Sequence, residues 1–346
     1  MTTLTDLLGT SLPVIQAPMA GVQGASLALA VTQAGGLGSL PAATLTPEAL
    51  RRDLLALRER TTAPLNVNFF CHVQPEPDSQ REAAWRAVLA PYYAEFGLDP
   101  GAVVAGPARS PFNHDLADVL AELPTPVVSF HFGLAAPDLR ERVRATGAKV
   151  LSSATTVEEA RWLQAQGVDA IIAQGLEAGG HRGHFLSDDL DAQAGTFALL
   201  PQIVRAVRVP VIAAGGIADA AGVAAARALG AVGVQVGTAY LLCPEATTSA
   251  VHREALTADA GGTTTLTNLF TGRPARGIRN RLMRELGAMR ADVPAFPLAA
   301  GAVSPLRGKA EAQGNGDFSP LWAGQNTTGC HNVPAADITR ELARGW

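Results

Sequence analysis

The chain has 346 residues, 47% of them hydrophobic and 17% charged, with a formal net charge of −4. That length can bury a full-sized core, and the composition excludes a disordered or highly solvated chain. The positive charge is carried by scattered arginines, with no Lys/Arg block and no apolar run approaching a membrane span, so neither a nucleic-acid surface nor a membrane anchor is expected.

In chain order, "PVIQAPM" (13–19) is a buried-strand candidate and "ASLALAVTQAGG" (25–36) a helix ending at glycine. "LGSL" (37–40) is a second strand, and 46–60 a helix with Thr46 as N-cap and Pro47 at its first position. "LNVNFF" (65–70) is a third strand. Residues 75–124 interrupt the rhythm with helical material and no clear strand. "PVVSFHFG" (126–133), "KVLSSA", "VDAIIAQG" and "PVIAAGGI" then alternate with helices, and "AVGVQVGTAYLL" closes the series. Beyond it, 245–310 carries helix candidates and a Pro/Ala/Gly-rich run. The tail, 311–346, includes a Gly/Asn/Thr-rich segment that is either a loose terminus or a return to the site.

Eight strand candidates, nearly all separated by helices, imply a parallel sheet with right-handed crossovers. Their number and length predict an α/β fold, a (β/α)8 TIM barrel over 1–244 with a helical excursion at 75–124. A smaller, mostly helical lid or substrate subdomain is expected over 245–310, and a tail at the barrel mouth over 311–346. An open doubly wound sheet is the runner-up, but the first turn, "APMAGVQG", lacks its G-x-G-x-x-G fingerprint. The three cysteines are far apart, with no C-x-x-C, and predict reduced thiols. The N-terminus shows no basic segment followed by a long apolar run, so a cytoplasmic chain without a signal peptide is expected.

In such a barrel the strand C-termini carry the site. Gly215-Gly216 and Gly237-Thr238 each stand between a strand and a helix, where freed backbone N–H groups and the helix dipole favour an anion. Both pairs fall after strands seven and eight, the phosphate position of this fold. Other strand ends supply the amides Gln16, Asn68, Gln174 and Gln235; none supplies Lys, Asp or Glu. Lys149 opens a strand and so lies at the opposite face, which argues against Schiff-base chemistry. Amides and backbone donors beside Phe and Met suit a flat cofactor, flavin foremost. The alternative is that the amides only satisfy buried polar groups.

The loop "QGLEAGGHRGH" (174–184) has three readings. Spacing of three between His181 and His184, with no completing Asp, Glu or Cys, argues against a metal site. A solvated turn is the bland reading. Gly179-Gly180 instead let the chain lie close to a ligand while presenting His181 as base or hydrogen-bonding group. His131, ending the fourth strand, either faces the same cavity or is a satisfied barrel histidine.

"QAPMAG", "NVNFF", "SFHFG", "QGLEAGGHRG", "AAGGIAD", "VQVGTA" and, near the end, "WAGQ" occur in the order seen in nitronate monooxygenases, formerly 2-nitropropane dioxygenases. The chain resembles that family over 13 to about 242 and again over 318–326. The resemblance implies an FMN-bound barrel, with FMN contacts at Ala17, Pro18, Met19, Asn68, Gln174, Gly179, Gly180, Gly216, Gln235, Gly237, Thr238 and Gln325. It implies His181 as the catalytic residue, and Trp322 as an aromatic group near the substrate. The family oxidises alkyl nitronates, such as propionate 3-nitronate, with O2 to a carbonyl product and nitrite. Tyrosines that some members place around the substrate have no evident match, because this chain has only Tyr92, Tyr93 and Tyr240. Rival readings are an FMN-dependent enoyl-acyl carrier protein reductase using NAD(P)H, a flavin-free phosphate-binding isomerase or lyase, and a non-catalytic flavin protein. The residues favour neither a monomer nor a homodimer.

Overall fold

The computed structural model describes residues 3–99, 101, 109–258 and 263–346. Parts of the expected excursion (100 and 102–108) and of the expected subdomain (259–262) lie outside the described residues.

Eight parallel strands form the central sheet: β1 (Val14–Gln16), β2 (Gly38–Pro41), β3 (Leu65–Phe70), β4 (Val127–His131), β5 (Lys149–Ala154), β6 (Ala170–Gln174), β8 (Val211–Ala214) and β9 (Gly233–Val236). Between β6 and β8 lies a two-residue strand, β7 (Gly180–His181). The sheet closes where β1 meets β2, through the Ile15–Leu37 bridge and the bonds Gln16 N to Leu37 O (3.0 Å) and Leu37 N to Val14 O (2.9 Å). The eight expected strands are thus the eight staves of a TIM barrel.

Local chemistry starts the helices where the sequence pattern places them. Thr46 Oγ1 accepts from Ala49 N at 3.2 Å, with Pro47 in the first turn of Pro47–Arg58. Thr156 and Asp219 cap two later helices in the same way. The main apolar core lies between sheet and helices. A second cluster fills the N-terminal end of the barrel. There a helix that the sequence pattern does not announce, Leu4–Leu8, packs Leu4 and Leu8 against Ile15, Leu37, Leu151 and Ile212.

Two features go beyond the sequence reading. The helix Ser79–Glu95 leaves the barrel and joins the later subdomain: Trp85, Leu89 and Tyr93 share a core with Leu269, Leu306 and Phe318, and Tyr93 Oη donates to Ala302 O at 2.6 Å. The rest of the 75–124 stretch includes His114–Glu122, whose Leu116 and Leu120 belong to the barrel core. The helix Ala335–Ala343 also packs into the barrel core, and its Thr339 Oγ1 lies 3.0 Å from Tyr240 Oη. It follows β9 only after the subdomain, so the subdomain is inserted between the last barrel strand and its helix. The inserted segment also holds an antiparallel hairpin, β10 (Thr264–Thr267) and β11 (Ala275–Ile278). Strand β11 pairs with β7, tying the subdomain to the loop after β6. Among the described residues no helix is long and apolar enough to cross a membrane.

Candidate active site

The loop after β6 is held by a buried cation. Arg182 is fully buried and donates from Nε to Gln193 Oε1 (2.8 Å) and from its terminal nitrogens to Gly175 O (2.7 Å) and Gln174 O (2.9 Å). Burial pulls its pKa down to about 10, so it stays charged at neutral pH. Gln174 spends both ends of its side chain on the same loop, donating to His181 O (3.0 Å) and accepting from Gly183 N (2.7 Å). Its amide therefore shapes the loop, although the residue also lines the cavity.

These contacts aim His181 into a cavity at the C-terminal end of the barrel. Its ring packs among Phe296 (5.3 Å between centroids), Trp322 (5.6 Å), Phe132 (6.0 Å) and Phe70 (6.2 Å). Nε2 lies 2.9 Å from Thr271 Oγ1. Burial first, then the charges of Arg109, His131 and Arg273, hold the His181 pKa well below the usual histidine value. The ring is neutral at physiological pH.

His131 stands behind it. Its Nδ1 lies 2.6 Å from Ser153 Oγ and its Nε2 3.2 Å from His181 O. A carbonyl only accepts, so Nε2 carries the proton and Nδ1 accepts from the serine. Burial lowers the His131 pKa to about 3. With both nitrogens engaged, this histidine sets the backbone of His181, while its ring lines the cavity. The next residue, Phe132, holds φ +69°, a left-handed conformation that costs a non-glycine residue about 1–2 kcal/mol. Its ring lies under the Arg273 guanidinium, 4.2 Å from centroid to Cζ.

The cavity's volume is about 180 Å³, far beyond the ~10–15 Å³ that one water needs. Part of its wall is built from backbone. Gly215 and Gly216 adopt φ +110° and +75°, which only glycine takes readily. At Gly237 a Cβ would stand 3.3 Å from Ala17 Cβ and 3.4 Å from Met19 Sδ. The tail closes this end: Gly324 N donates to Thr238 Oγ1 (2.9 Å), and Asn326 Nδ2 donates to Gly216 O (3.1 Å). Ala17, Pro18, Met19, Asn68, Gly179, Gly180, Gly215, Gly216, Gln235, Gly237, Thr238 and Trp322 all line the cavity. Gln325 does not: it is exposed, its N–H bound to Glu177 O (2.9 Å), and its neighbours Gly324 and Asn326 take the lining positions.

The strand-end amides divide by role. Gln16 is wholly buried outside the cavity lining, bonded to Gln23 and Ser39. Asn68 donates to Ser129 Oγ at 3.0 Å and lines the cavity. Gln235 also lines it, and its buried Oε1 has no partner among the described residues. Lys149 lies at the other end of the barrel, 3.4 Å from Asp169. His184 is buried, with Nε2 3.5 Å from Asp188.

Sequence reasoning missed Thr271, Phe296 and Arg109, which come from the inserted subdomain and the excursion, where no strand rhythm marks a site. It also passed over Glu177, whose carboxylate accepts from Thr196 N (2.8 Å) and Thr196 Oγ1 (3.0 Å) and caps the helix Thr196–Ala206. An acidic residue two positions before a Gly-Gly, with a Gly-Thr helix start downstream, was the available signal.

Three comparisons bear on this geometry. The profile of the family described as nitronate monooxygenase matches residues 1–345. A nitronate monooxygenase of Pseudomonas aeruginosa is 43% identical over 341 residues, 98% of this chain and 97% of its own. The solved nitroalkane oxidase of Streptomyces ansochromogenes superposes with a TM-score of 0.89 at 39% identity, covering 99% of both chains. FabK from Thermotoga maritima follows at 0.73 and 28%, covering 100% of this chain and 96% of its own. Barrel, histidine loop and relatives together define an oxidoreductase of the TIM-barrel class. Within that class, the chain belongs to the nitronate monooxygenase family.

Proposed function

We propose that this enzyme oxidises alkyl nitronates, propionate 3-nitronate among them, with O2 to a carbonyl compound and nitrite, using FMN held in the cavity. The residues present fit that cofactor. Glycines 215, 216 and 237 leave backbone room for a phosphate at one end, and Thr238 adds a hydroxyl there. Asn68 and the unpartnered Oε1 of Gln235 offer polar contacts to a ring system, with Pro18 and Met19 as its apolar neighbours. FMN would supply the redox chemistry, accepting electrons from the nitronate and passing them to oxygen.

The observation that carries the reading is the half-buried, neutral His181 in its aromatic pocket, lining the same cavity as the glycines. The Thr271 hydroxyl also lies 3.4 Å from Arg273 O. When it donates there, Nε2 of His181 donates to Thr271 and Nδ1 keeps a lone pair, which can take an α-proton from a neutral nitroalkane. When it donates to Nε2 instead, Nδ1 carries the proton and can hydrogen-bond an anionic nitronate. Phe70, Phe132, Phe296 and Trp322 exclude water from that contact.

The test is a visible spectrum of the purified protein, with FMN added if it is colourless, then anaerobic propionate 3-nitronate, then air. Flavin bands that change with the nitronate and return with oxygen, together with nitrite release, support the reading. Bands indifferent to nitronate but bleached by NADH would replace it with the enoyl reductase chemistry. Failure to retain FMN would remove the cofactor assignment.

A further inference from the structure

Arg109 is a cation in the wall of the cavity with no neutralising partner among the described residues. It lines the same space as His181. Both groups pack on one ring, Arg109 Cζ at 5.8 Å from the Phe296 centroid and the His181 ring at 5.3 Å. Among the described residues Arg109 forms no ion pair, and its buried terminal nitrogen Nη1 has no hydrogen-bond partner. Leaving a guanidinium nitrogen buried and unpaired is costly, and Arg109 faces a cavity large enough for a ligand to supply the acceptor.

The surroundings sharpen the point. The arginines that serve structure in this region have their acceptors: Arg182 on the loop carbonyls, Arg273 on Arg182 O and His184 O, and Arg276 on Leu176 O at 2.8 Å. Glu177 is the sole carboxylate among the described lining residues, and both its oxygens are engaged by Thr196. The histidines beside the pocket, His72, His131 and His181, are all held toward the neutral form by burial. Arg109 is therefore the charge that a substrate meets near His181. Burial and the neighbouring Arg307 lower its pKa, but a guanidinium begins so high that it stays protonated.

We infer that Arg109 is a substrate-binding residue that pairs with an oxyanion of the substrate: the nitronate group itself or a carboxylate on the same molecule. The inference rests on the nitronate reading of the site. A guanidinium fork binding an oxyanion in a site walled by aromatic rings forms charge-assisted hydrogen bonds, stronger than neutral ones. Where the oxyanion is the nitronate group, it gives the anion an advantage over its neutral nitroalkane that neutral His181 cannot give.

The experiment compares flavin-loaded wild type with Arg109→Gln and Arg109→Lys, using propyl 1-nitronate and propionate 3-nitronate, with nitrite as readout. Arg109→Gln is expected to raise KM by about 10- to 100-fold with kcat within about twofold, and Arg109→Lys to recover part of that loss. A rise for both substrates assigns the contact to the nitronate; a rise for propionate 3-nitronate alone assigns it to the carboxylate. Flavin content and spectrum should match wild type in both variants, which a general disruption of the site would not allow. Nitrite from the wild type with unaltered KM for both substrates in Arg109→Gln, or KM raised equally in both variants with flavin lost, would overturn the inference alone. No nitrite from the flavin-loaded wild type would overturn the proposed function beneath it.

Discussion

His181 and Thr271 are joined across the boundary between barrel loop and inserted subdomain, with Nε2 and Oγ1 2.9 Å apart. The bond is the polar tie of a ring otherwise enclosed by aromatic groups. Thr271→Val keeps the shape and removes the tie. Nitronate turnover should fall about tenfold, the worth of one hydrogen bond of about 1.4 kcal/mol, with flavin content unchanged. Thr271→Ser should restore it. Steady-state kinetics on the two variants checks this: wild-type turnover in Thr271→Val would show that the hydroxyl is dispensable, and equal loss in both would show that the hydroxyl does not act without the methyl beside it.

Acid should destabilise the fold through its buried histidines. A histidine titrates near 6.5 in an unfolded chain. Burial lowers His131 to about 3, and His184 and His252 to about 4. Below pH 6.5 the unfolded chain binds protons that the folded chain refuses. The stabilisation is therefore complete above 6.5 and is lost progressively as the pH falls toward 4, by on the order of 2 kcal/mol per group at pH 5. Urea midpoints at pH 7.5, 6 and 5 measure the slope. His252→Leu should flatten it by removing one of the groups.

Arg182 is a structural cation inside the functional loop. Arg182→Met would leave the carbonyls of Gln174 and Gly175 and the amide of Gln193 without their donor. The expected cost is about 3 kcal/mol or more, seen as a lower melting temperature and as weaker flavin retention. A variant as stable as wild type would mean that water replaces the guanidinium.

Gly179 and the tail meet backbone to backbone. A Cβ on Gly179 would stand 2.6 Å from both Ala323 C and Gly324 N. Gly179→Ala should lift residues 322–326 from the mouth, exposing the tail to limited proteolysis and lowering flavin affinity. Unchanged cleavage would show that the contact yields without undocking.

Gly216→Asp tests the anion end. The position has φ +75°, and a Cβ there would lie 3.4 Å from Glu177 Cβ, so two carboxylates would crowd one wall. The flavin-to-protein absorbance ratio should drop at least about tenfold, with Gly216→Ala affected less. Normal flavin content in Gly216→Asp would move the phosphate elsewhere.

Much of this protein was legible in its residues. A strand buried on both faces reads as a short apolar run, as in Ile171–Ala173 and Val211–Ala214, and a helix start needs only a local cap such as Thr46 before Pro47. Those are nearest-neighbour effects, so the eight staves and the glycine and histidine loops at their ends could be read in order. Tertiary structure alone decided the rest. It joined Trp85 to Phe318 in one core, seated Ala335–Ala343 as the helix after β9, and kept Gln325 out of the cavity while admitting Asn326. It spent the Gln16 and Gln174 amides and the Asn68 donor on the protein itself and left Gln235 Oε1 without a partner among the described residues. It also brought Thr271, Phe296 and Arg109 to His181. Most of these depend on contacts between residues tens to hundreds of positions apart, and even the short-range amide bonds of Gln16 and Gln174 follow from loop shape; such contacts leave no period, cap or motif in the chain. The barrel end marks where chemistry can occur; what lies over that end sets the charge, the dryness and the tautomer with which His181 works.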